Sequence, residues 1–101
     1  MNNLKKGFEY EMRQIYKKAK NECNYRPTRY LQMLDRYGGL RTAKRLLATN
    51  RIHEGLIKLY LLGRLDLTVE KLVLKKKYRI LFSEEELKRA KRRLIDLNYS
   101  I

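Results

Sequence analysis

The sequence predicts an all-α fold, and three observations predict it. Apolar residues recur mostly at spacings of 3 and 4. Strict period-2 alternation is absent over any useful length. There is a single proline, Pro27. The 101 residues are expected to form one compact domain, residues 1–101, of five to six short helices around a buried central helix. The centre is placed in the apolar stretch from Gly55 to Leu74, which stands out in a chain thick with Lys and Arg.

The first helix is expected over residues 3–22. Leu4, Phe8, Met12, Ile15 and Ala19 make its core stripe, and Lys6, Tyr10, Arg13, Lys17 and Lys20 lie opposite. Glu9 and Arg13 are spaced to pair. Pro27 opens the second helix, to Tyr37, with Thr28 as its cap and Tyr30, Leu31, Leu34 and Tyr37 inward. Gly38 and Gly39 end it. A third helix follows over residues 40–48, burying Leu40, Ala43, Leu46 and Leu47 and closed by Thr49 and Asn50. The fourth, residues 53–62, is apolar nearly all round, so it is expected to be the buried one, with Gly63 as its stop. Thr68 caps a short fifth helix, with Glu70 near its positive end. Lys75 to Arg79 reads as a basic connector, after which Leu81 and Phe82 return to the core. Ser83 and Glu86 form a capping box for the last helix, whose stripe is Leu87, Ala90, Leu94 and Leu97. Glu84 is spaced to pair with Lys88 and Glu85 with Arg89, and Lys91, Arg92 and Arg93 have no such partner expected within the helix. Asn98 suits the left-handed position after this helix, and Tyr99 and Ile101 are expected to fold back on the core.

Charge bounds the function. Lys and Arg total 25 against 11 Asp and Glu, a formal +14, and the excess runs through both halves of the chain. A globally basic domain points to nucleic acid as partner. The lone Cys23 cannot form an intramolecular disulfide. The first residues lack a signal-length apolar run, and Lys58 and Arg64 interrupt the most apolar region. These features predict a cytoplasmic protein with no membrane span.

Enzyme chemistry is not expected, and neither is a cofactor or a metal. His53 is the only histidine, so His53 and Glu54 lack the second histidine of a helical zinc site. Gly38, Gly39 and Gly63 read as helix stops, not as a phosphate loop. Glu84 to Glu86 serve capping better than acid–base work.

The segment from Gly63 to Leu74, the basic connector around Tyr78, and Leu81-Phe82-Ser83 leading into a basic helix form a recognisable series. Tyr30 to Leu34, Gly38-Gly39 and Ala43 to Leu47 precede it. Together these motifs, spanning about residues 5–99, resemble a small, poorly characterised bacterial helical domain that occurs alone or near restriction and defence proteins. The resemblance implies a nucleic-acid or defence context and supplies no catalytic residues; a phage or regulatory setting is a further expectation for so small and basic a domain.

Two basic elements are the candidate nucleic-acid-binding surface. The first is Lys75, Lys76, Lys77, Tyr78 and Arg79 with Lys88, Arg89, Arg92 and Arg93. The second is Arg41, Lys44 and Arg45. The basic stripe of the first helix, with Tyr10, ranks third. The expected mechanism is neutralisation of DNA or RNA phosphates with counterion release, assisted by exposed tyrosine. A helix-turn-helix is only weakly suggested by the second and third helices. The alternative is a protein-interaction module or small regulator docking on an acidic surface of a larger enzyme.

Overall fold

The computed structural model describes residues 2–49 and 53–99. Among them lie helices and turns and no strand, as the spacing of apolar residues predicts. The α-helices are α1 (Asn2–Cys23), α2 (Thr28–Tyr37), α3 (Gly39–Ala48), α4 (Glu54–Leu61), α5 (Val69–Val73) and α6 (Glu84–Asp96). Two 3-10 helices, Leu65–Leu67 and Lys76–Leu81, flank α5. The second replaces the expected basic connector. A radius of gyration of 12.5 Å matches the value of about 13 Å for a globule of this length.

One core joins the elements. Phe8 and Met12 of α1 meet Leu34 of α2, Ala43 and Leu47 of α3, Val73 of α5 and Ala90 and Leu94 of α6. Phe8 takes Tyr78 and Phe82 edge-on, with ring centroids 5.2 and 5.4 Å away. Such edge-to-face pairs add to the area they bury.

The expected central helix is corrected. In α4 only Leu56 and Leu59 are buried; Ile57, Tyr60 and Leu61, and Leu62 just after the helix, are exposed. The short α5 is the enclosed element, with Val69, Glu70, Leu72 and Val73 all buried. A two-turn helix can be apolar on every side and still lie at the surface, because neighbours cover only one stripe of it.

Local capping is as the sequence predicts in four places. Ser83 and Glu86 close the reciprocal box, with bonds of 3.1 and 2.8 Å. Thr68 accepts the Lys71 amide at 3.2 Å. Gly63 (φ +71°) and Asn98 (φ +62°) each take the left-handed position after a helix. In both cases the following amide reaches back five residues, Arg64 to Leu59 at 2.8 Å and Tyr99 to Leu94 at 2.9 Å. Thr28 does not cap α2. Pro27 occupies the cap position without a side-chain bond, and the Thr28 hydroxyl donates to the Arg26 carbonyl at 3.3 Å. Asn50 and Ile101, given closing and core roles above, lie outside the described residues.

Helix α3 is held at both ends by side chains from other helices. At its start, the Gly39 amide donates to the Glu9 carboxylate of α1. A Cβ on Gly39 would stand 3.0 Å from the Glu9 backbone, so glycine is what lets α3 approach α1 this closely. At its end, Arg89 donates to the Leu47 carbonyl at 2.9 Å, and Arg93 donates to Leu46 at 3.0 Å and Thr49 at 2.7 Å. Together with the Lys44–Glu86 pair at 2.9 Å, these contacts advance in step along both helices. So α3 and α6 run side by side in the same direction.

A buried polar network ties that junction to α4 and α5. Glu70 Oε2 accepts from Arg93 at 2.9 Å and from His53 Nε2 at 2.7 Å. His53 Nδ1 accepts the Leu56 amide at 3.2 Å and caps α4, which places the ring proton on Nε2. Burial alone would push the Glu70 carboxyl up. The bonds from His53 and Arg93 outweigh burial and hold it below the ordinary carboxylate value.

Candidate nucleic-acid interface

The structure divides the twelve nominated residues into structural and free groups. Tyr78 is corrected outright. It is buried (2% exposed), packed on Phe8, and its hydroxyl donates to Glu11, so its ring cannot stack on a base. Burial, then the Glu11 carboxylate, pushes its phenol up to about 12. Arg93 is corrected too: it is 6% exposed and serves Glu70 and the end of α3. Neither expected pair on α6, Glu84–Lys88 or Glu85–Arg89, closes within 4.0 Å among the described residues. Arg89 turns to the Leu47 carbonyl instead.

Four more cations are engaged. Lys44 pairs with Glu86, and its ammonium lies 5.1 Å from the Phe82 ring centroid. Lys75 and Lys77 face Glu11 at 2.7 and 3.5 Å. Arg79 donates to the Leu74 carbonyl at 3.0 Å. Lys76, Lys88 and Arg92 are exposed. In the third-ranked stripe, Arg13 bridges Glu9 and Asp35 at 2.8 and 3.0 Å, locking α1 to α2.

What the fold does gather is a cluster centred on Tyr37. The guanidinium carbons of Arg36, Arg41 and Arg45 lie 5.5, 5.6 and 3.9 Å from the Tyr37 ring centroid. All three arginines are exposed, and Tyr37 is half-buried. Among the described residues, none of the three has a carboxylate within 4.0 Å. The local cause is Gly38. With φ +83° and ψ 169° it joins α2 to α3 in a single residue, and its amide donates to Leu34 at 2.8 Å. That corner brings the last turn of α2 against the exposed face of α3, where Arg41 and Arg45 stand one turn apart. A helix-turn-helix joins its helices through a turn of three or four residues, so the one-residue corner departs from that motif.

The sequence reading sets Tyr37 inward on the apolar stripe of α2 and Arg36 only near Arg41, Lys44 and Arg45 in sequence, so neither enters the candidate surface. The available signal was an Arg-Tyr pair just before the glycine corner with arginines 4 and 8 residues beyond Tyr37.

His53 offers no free ring nitrogen, since Glu70 and the Leu56 amide take both. Among the described residues no three His, Cys, Asp or Glu side chains assemble as metal ligands would. No helix there is long and apolar enough to cross a membrane. Searched against family models, curated proteins and solved structures, the chain matches none.

Proposed function

We propose that this protein binds nucleic acid through phosphate contacts, with Arg36, Arg41 and Arg45 around Tyr37 at the centre and Lys76, Lys88 and Arg92 as outlying contacts. The Tyr37 cluster carries this reading. Three guanidiniums lie within 6 Å of one ring centroid, so any two are at most about 11 Å apart. The Debye length at physiological salt is about 8 Å, so salt screens part of their mutual repulsion, and one anion entering among them can interact with all three. Guanidinium forks match phosphate oxygens and are weakly hydrated, which suits them to this task.

The test is fluorescence anisotropy with DNA and RNA oligomers at several salt concentrations. If about five phosphates are neutralised, log K falls against log salt with a slope of about −4 to −5. The R36A/R41A/R45A variant is expected to flatten that slope by about 3 and to weaken binding at low salt. Absence of binding by the parent protein at 50 mM salt, or an unchanged slope in the triple variant, would overturn the assignment.

The second reading, docking on an acidic surface of a larger protein in a phage, defence or regulatory setting, is supported by a different observation. Ile57, Tyr60 and Leu61 of α4 and the adjoining Leu62 are exposed, so a protein partner whose acids meet the basic surface could also cover apolar side chains there. Capture after nuclease treatment separates the two: one stoichiometric protein partner retained through α4 would favour docking.

A further inference from the structure

We propose that the cleft between α1, α5 and the second 3-10 helix is a binding site for a nucleoside phosphate. The proposal does not rest on the arginine cluster. The cleft is half open to solvent and offers about 530 Å³, within the usual range of small-molecule sites. Lys18 lines it from α1, Lys71 from α5, and Lys75 and Lys77 from the start of the 3-10 helix. Two carboxylates share the wall, Glu11 and Asp66, and both are already matched. Glu11 accepts from the Tyr78 hydroxyl and from Lys75 at 2.7 Å, with Lys77 at 3.5 Å. Asp66 accepts two bonds from Arg64, at 3.0 and 3.1 Å. Among the described residues, Lys18 and Lys71 have no carboxylate within 4.0 Å. The Lys71 ammonium is 5.5 Å from the Tyr99 ring centroid, a contact that leaves its donors available. The cleft is therefore cationic in excess of its own acids, and compact ammonium charges are suited to a phosphate chain.

One ridge of α1 supplies the rest of the recognition. Tyr10, Gln14 and Lys18 follow at intervals of four, so they lie one above another over about 12 Å of helix. Tyr10 is 64% exposed, a free aromatic face at the rim on which a base can stack. Gln14 carries both a donor and acceptors, as a base edge requires. Lys18, at the far end of the ridge, and Lys71 on the facing wall are placed to hold phosphate. Stacking surface, amide and ammonium thus stand in the order base, edge, phosphate. The order, not the charge alone, distinguishes this cleft from the rest of a basic surface.

Phosphate can be presented by a free nucleotide or by the end of a strand. Isothermal titration at 150 mM salt with ATP, inorganic pyrophosphate, and one trinucleotide with and without a 5′-phosphate distinguishes the sources. The expected result is binding of ATP, or of the 5′-phosphorylated trinucleotide over its unphosphorylated form, at least tenfold tighter than pyrophosphate. K18A/K71A should weaken that binding at least tenfold. Tyr10→Ala should reduce the preference over pyrophosphate to near one. R36A/R41A/R45A should leave the preference for ATP over pyrophosphate in place, while a uniform loss of trinucleotide affinity in that variant would belong to the arginine cluster, so the two sites fail or succeed separately. The substituted side chains are exposed or half-buried, and a thermal melt checks that the fold is kept. No binding of either nucleotide form at 1 mM, equal binding of pyrophosphate, or an unaffected K18A/K71A variant would each overturn the proposal.

Discussion

Replacing Arg93 by methionine tests the buried network most directly. Arg93 and Glu70 pair at 2.9 Å, with side chains 7% and 0% exposed. Among the described residues, removing the cation leaves a buried carboxylate with His53 as its remaining side-chain partner and with Oε1 unpartnered. It also takes the Arg93 donors from the Leu46 and Thr49 carbonyls at the end of α3. Breaking a buried ion pair from one side costs about 3–5 kcal/mol. Against a total stability of about 5–15 kcal/mol for a domain of this kind, that is a large fraction. In urea, with a slope of about 1.5 kcal/mol/M, the midpoint should fall by about 2–3 M. Glu70→Met should cost less, because Arg93 keeps its two carbonyl acceptors. The double variant R93M/E70M should cost much less than the sum of the two, since well-packed apolar replacements of a buried pair are often neutral or better. Arg92→Ala, one residue away and exposed, should stay within about 0.5 kcal/mol of the parent. An R93M variant within 1 kcal/mol of the parent, or strict additivity in the cycle, would refute the network as a determinant of stability.

Three further outcomes are expected. Acid should destabilise the fold below about pH 4.5: burial pushes Glu70, Glu11 and Glu86 up, but their bonded cations and donors hold all three below the ordinary value, so the unfolded chain takes up protons first. The stabilisation is thus complete above the unfolded carboxyl range, about 4.3, and is lost as pH falls through the lower folded values, which urea midpoints from pH 7 to pH 3 would follow. Gly39→Ala should cost about 1–3 kcal/mol by forcing α1 and α3 apart, seen as a lower melting temperature, because its Cβ meets backbone at 3.0 Å. Gly7→Ala should destabilise alone but be neutral or stabilising beside Tyr78→Phe, because the obstacle is the Tyr78 hydroxyl at 3.1 Å and alanine is the better helix former by about 1 kcal/mol; a G7A penalty unchanged by Y78F would contradict that account.

Features whose cause lies within a few residues were readable in the sequence. The Ser83–Glu86 box, the Thr68 cap and the left-handed Gly63 and Asn98 each depend on neighbours at most five positions away. Roles decided across the chain were not. Tyr78 looked like an exposed aromatic among lysines, yet Phe8, 70 residues earlier, buries it. Arg93 looked like one more surface cation until Glu70 and the end of α3 claimed it. Glu70 looked like a helix-start acid because nothing local reveals that α6 crosses above it. Helix α4 looked central because its composition is apolar, and composition does not say which side a neighbour will cover. The Tyr37 cluster depends on the angle set by Gly38, which a periodicity reading cannot supply.

The capping of α3 by α6 also constrains the order in which a ribosome can deliver this fold. Leu47 waits for Arg89, 42 residues later, and Thr49 waits for Arg93, 44 residues later. A chain ending at residue 83 has the residues of α1, α2 and most of the core, but it lacks the arginines that reach the end of α3 and Glu70. The end of α3 therefore gains its side-chain donors only when α6 docks. Until then those carbonyls lack Arg89 and Arg93, and Glu70 lacks the cation it pairs with in the finished molecule.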